Sequence, residues 1–113
     1  MGPNIIMLPL RDPCEILWRH FPELKLEWAD QLMEEPHSIY ALLAAHFRGN
    51  TRDKALWRKA SLLFEELADA GSDSENVFLV SVAEPLLEHM ASALRLSADC
   101  GPKARILLRQ MLD

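Results

Sequence analysis

Prolines and hydrophobic spacing divide the chain into short amphipathic segments. Asp12-Pro13-Cys14-Glu15 reads as a helix start. Asp12 can cap, Pro13 suits the first helical position, and Glu15 stands where a capping-box acid belongs. Pro22 disfavours helical geometry at Phe21, so it ends this helix and opens a second one expected to reach about Glu35. On that second segment Glu23, Glu27, Asp30 and Glu34 fall in one narrow stripe. Leu24, Leu26, Trp28, Ala29, Leu32 and Met33 fill the other side, and Lys25 leans towards them, where its stem can snorkel.

Pro36-His37-Ser38 breaks the chain, with Ser38 as the expected cap of a third helix through Ile39, Leu42, Leu43, Ala45, His46 and Phe47. Gly49 is its expected stop. Thr51 is expected to start a fourth helix, in which Leu56, Ala60, Leu63, Phe64 and Leu67 repeat at the spacing of one buried face, and Gly71 to end it. Asp73 or Ser74 should cap the next element, residues 76–84. Its nearly continuous apolar run suits a buried strand as well as a helix. No second strand is available to pair with it, so a central helix is predicted, kinked or ended by Pro85 and resuming from Leu86 to Leu96. Gly101-Pro102 opens the last helix, with Ile106, Leu107 and Met111 on it. The expected fold is an all-α, compact, single-domain bundle of six to seven short helices over residues 12–113, with residues 1–11 as an extended arm packing Ile5, Ile6 and Leu8 onto it.

Length and charge narrow the function classes. With 113 residues the chain is one domain's worth, enough for one core and too short for a deep cleft between lobes. Twelve Lys and Arg against 17 Asp and Glu argue against non-specific nucleic-acid binding, which is driven by cations displacing counterions from phosphates. The charges come in blocks. Residues 12–46 and 61–88 are acidic, whereas 47–60 hold five bases and one acid. An acidic face of this kind can await a basic partner, where complementary potential speeds and selects association. No apolar stretch is long enough to span a bilayer, and Pro9 interrupts the apolar start, which lacks a basic leader region. A cytoplasmic protein with two reduced thiols, Cys14 and Cys100, is expected.

No constellation for catalysis, metal or cofactor binding is found. His20, His37, His46 and His89 do not form a ligand pattern, and Glu88-His89 is a lone pair. Cys14, near a helix N-terminus, has no histidine placed to activate it and is expected to be half-buried. Glu65 and Glu66 diverge by about 100° on a helix and cannot easily share a substrate. Neither a glycine-rich phosphate loop nor a nucleophile elbow occurs. The basic run from Arg48 through Lys59 has a helix–turn–helix outline, but between acidic flanks it reads better as a solvated helix start. Trp18 and Trp28 belong to the core side. Trp57, beside Arg58, is the tryptophan expected to be exposed, in the aromatic–arginine pairing common at binding hot spots.

Three stretches resemble a family of small, all-helical bacterial proteins known mostly as a domain of unknown function. They are Phe21-Pro22-Glu23-Leu24; Leu63-Phe64-Glu65-Glu66-Leu67-Ala68 followed by Asn76-Val77 and Val80-Ser81-Val82-Ala83-Glu84; and Gly101-Pro102-Lys103. The resemblance covers roughly residues 15–112 and departs at Pro85 and in the N-terminal arm. It implies an immunity protein, encoded beside a polymorphic toxin of the Rhs or type VI kind, that neutralises its cognate toxin effector domain by stoichiometric binding. The resemblance implies no catalytic residues, and no cofactor, nucleic acid or membrane is called for. The expected contact surface is the stripe Glu23, Glu27, Asp30 and Glu34, followed by Glu65, Glu66, Asp69 and the exposed part of Trp57. The alternative is a helical adaptor or regulator of an endogenous protein.

Overall fold

Among the described residues, four of seven helices begin on a proline, where the missing N–H removes one of the donors a helix start leaves unpaired. The computed structural model describes residues 12–32 and 35–112, so the arm expected over 1–11 lies outside the described residues. The helices are α1 (Pro13–His20), α2 (Pro22–Leu32), α3 (Pro36–Arg48), α4 (Lys54–Ala68), α5 (residues 72–87), α6 (Met90–Asp99) and α7 (Pro102–Leu112). Among the described residues there is no strand, and the chain is an all-α single-domain bundle.

Local chemistry sets the helix ends. Asp12 caps α1 by accepting from the Cys14 N–H at 3.0 Å. Glu35, not Ser38, caps α3: its carboxylate accepts from the N–H of His37 at 3.3 Å and of Ser38 at 2.7 Å. A carboxylate one residue before Pro36 reaches donors that Ser38, already inside the first turn, would itself present. Those bonds, led by the one from Ser38, hold the Glu35 carboxyl below its usual value. Residues 49–52 make a turn, so α4 starts later than Thr51, on Asp53, whose carboxylate accepts from the Leu56 N–H at 3.1 Å. Gly71 is not the stop of α4, which closes at Ala68. Its φ of 113° instead turns the chain into α5.

The apolar run is helical, as expected, but wider than an α-helix. Val77–Ala83 forms a π-helical stretch between the α-helical ends Ser72–Asn76 and Glu84–Leu87, with the Glu84 N–H bonded to the Leu79 carbonyl. Pro85 explains why the helix widens here. It has no N–H to donate, and in a regular α-helix its ring would crowd the carbonyl of Ser81. Widening the preceding turns relieves the clash without ending the helix. The break falls later, at Glu88 and His89, where the Ser92 hydroxyl donates to the Leu86 carbonyl at 2.6 Å.

The core is a run of aromatic rings. Phe47 of α3 meets Phe21 from the α1–α2 corner at 6.1 Å between centroids, Trp57 of α4 at 5.4 Å and Phe64 of α4 at 5.7 Å, the last edge-on at 76°. Phe64 passes the contact to Phe78 of α5 at 5.2 Å. Such pairs add about 0.5–1.5 kcal/mol each beyond the burial itself. Trp57 corrects the sequence reading: it is fully buried, and its indole N–H donates to the Asn50 carbonyl at 3.0 Å. Its place on α4, one helical turn before Ala60 and two before Phe64, puts it on the buried stripe and leaves Leu56 only half-buried. Cys14 is likewise fully buried, deeper than expected, and Tyr40 is sealed in, its hydroxyl donating to the Pro13 carbonyl at 2.7 Å. Burial pushes the Tyr40 hydroxyl well above its usual range.

Trp57→Ala should lower the unfolding free energy by about 3–5 kcal/mol, because it removes the largest ring of the cluster and leaves a cavity. A urea melt followed by far-ultraviolet circular dichroism measures this; a loss under 1 kcal/mol would mean that Trp57 is not a core residue.

Candidate partner-binding surface

α2 lies at the edge of the bundle, anchored by one side. Leu24 and Trp28 are buried, Trp28 against the His46 ring edge-on at 6.2 Å, while Glu23, Lys25, Leu26 and Glu27 are exposed. Leu26 was expected on the covered side and is instead 91% exposed. The reason is angular: among the described residues α2 is held along Leu24 and Trp28, which leaves the flank a half-turn away uncovered. Pro22 and Leu26 share one exposed strip of α2, and Glu23 and Glu27 share the next. Beside that strip a groove of about 420 Å³ runs between α1 and α2, lined by Glu15, Trp18, Arg19, Pro22 and Lys25. The indole Nε1 of Trp18 is buried there without a hydrogen-bond partner among the described residues.

Of the acidic stripe, Glu23 and Glu27 are therefore exposed together on one face. Lys59 of α4 approaches Glu23 at 3.6 Å while its ammonium sits 4.5 Å from the Phe21 ring centroid. That solvent-exposed pair holds α2 with little energy. The side chains of Asp30 and Glu34 lie outside the described residues.

The other acids expected at a partner surface are engaged within the fold. Glu65 reaches the start of α7 and accepts from the N–H of Lys103 at 2.8 Å and of Ala104 at 3.1 Å. It is a helix cap supplied from 38 residues away in sequence. Gly101 makes room for it, since a Cβ there would stand 2.6 Å from the Glu65 carboxylate oxygen. Glu66 points the other way, to the end of α1, where it pairs with the Arg19 guanidinium and lies 2.8 Å from His20 Nε2. Asp69 meets the Lys103 ammonium at 2.9 Å. With Trp57 buried, Glu65 and Glu66 are fasteners within the fold, Asp69 stays at the surface in a solvent-exposed pair with Lys103, and the leading candidate surface is α2 and its groove.

A second concavity, of about 380 Å³, opens where Asp12, Pro13, Pro36, His37, Asp73, Asn76 and Val77 meet at the start of the π-helical stretch. His37 Nδ1 lies 2.6 Å from the Ser81 hydroxyl. That spacing resembles a nucleophile–base pair. However, Ser81 is buried and does not line the concavity, so the bond ties α3 to α5. No group of three His, Cys, Asp or Glu side chains able to hold a metal ion occurs among the described residues. Nor is any described helix long and apolar enough to cross a membrane. Both cysteines are buried, and burial pushes the Cys100 thiol up.

Fold and surface together define a small all-α bundle with an exposed edge helix. Comparison with family models, with curated proteins and with solved structures finds no match to the chain.

Two measurements check the fasteners. Partial burial pushes the Glu66 carboxyl up, but the hydrogen bonds from His20 and Arg19, with the charges behind them, outweigh it and hold the net value below the usual 4.5. Its contribution to stability is therefore full above pH 4.5 and is lost as pH falls through the lower folded value. The stability gap between wild type and Glu66→Gln should close on acidification through that window; a gap independent of pH from 7 to 3 would refute it. Gly101→Ala should cost about 1 kcal/mol by pushing Glu65 off the α7 cap. Glu65→Ala should then add little in the Gly101→Ala background, a non-additivity that a double-mutant cycle in urea reads directly.

Proposed function

We propose that this protein is a stoichiometric inhibitor, an immunity protein that binds and neutralises a basic toxin effector domain in the cytoplasm, without chemistry of its own. One observation carries the reading: Leu26 stands almost wholly in solvent on the edge helix, between the acidic strip Glu23–Glu27 and the groove floored by Trp18. Leaving a leucine so exposed beside a tryptophan-lined groove makes physical sense if a partner covers both. The acids beside it would draw in a partner rich in lysine and arginine, the composition of a toxin that attacks nucleic acids or nucleotides. The resemblance of the Phe-Glu-Glu-Leu-Ala and Gly-Pro-Lys segments to the immunity family points the same way. A complex of ordinary size would bury on the order of 1,600 Å², with the groove and Leu26 as its anchors.

Co-expression with the C-terminal domain of the adjacent upstream reading frame tests this. The chain should rescue growth and co-purify with that domain in equal amounts. Leu26→Asp combined with Glu27→Lys, both at exposed positions, should weaken the complex at least about 30-fold while the far-ultraviolet spectrum stays helical. Rescue and co-purification untouched by the pair would remove α2 from the interface; a neighbour with no toxicity would remove the inhibitor reading.

A further inference from the structure

We propose that a cleft on the opposite charge pole, between α4 and α6, is a binding site for a compact phosphoryl or pyrophosphoryl anion. The cleft has a volume of about 230 Å³ and is lined by Lys54, Arg58, Ser61, Arg95 and Asp99. Lys54, Arg58 and Ser61 follow one another at intervals of four and three residues, so α4 presents them as a single strip. Arg95 faces them from α6.

Arg19, Lys59, Arg95 and Lys103 each have a carboxylate partner, and Arg105 donates to the Cys100 carbonyl at 3.0 Å. Lys54 and Arg58 have no ion-pair partner among the described residues, although acids outnumber bases 17 to 12 in the chain. Lys25, Arg48, Arg52 and Arg109 also lack an ion-pair partner among the described residues, but Lys54 and Arg58 line one cleft together. The one acid lining the cleft, Asp99, is ion-paired with Arg95 at 3.1 Å, one turn along the same helix, although its buried Oδ2 accepts no hydrogen bond among the described residues. Arg95 is also fixed from below, its guanidinium carbon 5.9 Å from the Trp57 ring centroid. Its Nε is buried and has no hydrogen-bond partner. The cleft therefore holds a surplus of positive charge, an arginine clamped in position, and a hydroxyl from Ser61.

The ligand class follows from charge and size. Arg58 offers a planar fork of donors that matches phosphate oxygens, Arg95 adds a charge shared with Asp99, and Lys54 adds a point charge. A carboxylate monoanion would leave part of the surplus unanswered. A cleft of 230 Å³ is smaller than the roughly 300–1,000 Å³ of sites that enclose a drug-sized ligand. It suits the phosphate end of a ligand, with anything larger attached left outside. This site is separate from the α2 surface and stands whether or not the inhibitor reading does.

The probe is inorganic pyrophosphate, titrated calorimetrically into the full chain at constant ionic strength. Saturable binding of one pyrophosphate per chain is expected, with a shift of the Arg95 Nε–H resonance. Lys54→Gln with Arg58→Gln, both exposed and outside the core, should weaken binding at least about tenfold. Arg109→Gln, on an exposed position of α7 that does not line the cleft, should leave it unchanged. Tighter binding of a nucleoside diphosphate, with the same loss in the double variant, identifies a nucleotide as the source of the anion; equal binding identifies the free anion. Absence of saturation overturns the site, as does an equal loss in Arg109→Gln or an equal heat from chloride at matched ionic strength. A single-stranded oligonucleotide that binds where pyrophosphate does not would overturn it as well, making the basic face a nucleic-acid track.

Discussion

Phe47 is the point at which the bundle is held together. Its ring is the shared neighbour of Phe21, Trp57 and Phe64, so one side chain on α3 joins the corner of α1 and α2 to the length of α4. A domain of this size has room for a single core, and burial has to come from a few large side chains. Short helices such as these, several of about ten residues, would be marginal in isolation. They are stable here because their buried apolar side chains join one core that this line of rings runs through. Phe64 and Phe78 carry the line on to α5, which explains how a helix with a wide π segment and an internal proline can still be a central element: packing on α3 and α4 replaces the hydrogen bonds that Pro85 takes away.

α4 adds a second kind of fastening on its far side. Adjacent carboxylates on a helix point about 100° apart, which makes Glu65 and Glu66 a poor pair for shared chemistry but a good pair for holding two different helices. One caps α7 and the other pins the end of α1. Phe21, the Glu65–Glu66 pair, Ser81 bonded to His37, and Gly101 leaving room for Glu65 all serve to join the scaffold. Residues that choose a partner are to be sought where the scaffold makes no demand, on the exposed side of α2.

The sequence disclosed the helices because their signals are local. Pro13, Pro22, Pro36 and Pro102 mark four starts, and hydrophobic spacing separates Leu63, Phe64 and Leu67 from the wet face of α4. What it concealed depends on residues distant in the chain. Glu65 looks like a free surface acid until α7 is folded against it. Trp57 looks exposed beside Arg58, although its spacing to Ala60 and Phe64 already placed it on the buried stripe; a strict count of the period would have found it. Leu26 has apolar character but no neighbour, since nothing in α2 alone says which part of its circumference the bundle covers. Of the candidate surface, Glu23 and Glu27 were legible from charge spacing, and the groove floored by Trp18 was not, because it exists only once α1 and α2 pack at an angle.

Charge is distributed by the same packing. Glu65 and Glu66 on α4 are consumed by the fold, whereas Glu23 and Glu27 on α2 stay in solvent. The bases Lys54 and Arg58 at the start of α4 find no carboxylate, although Lys59, one residue further on, turns towards Glu23. The rotation of a single residue along α4 thus separates a cation spent on holding α2 from cations left for a ligand. A net charge of −5 hides this arrangement, since what a partner meets is the local field of one face, screened from the rest within about a Debye length. An acidic edge helix and a basic cleft can therefore serve different partners on one small domain, each drawn by the local charge of one face.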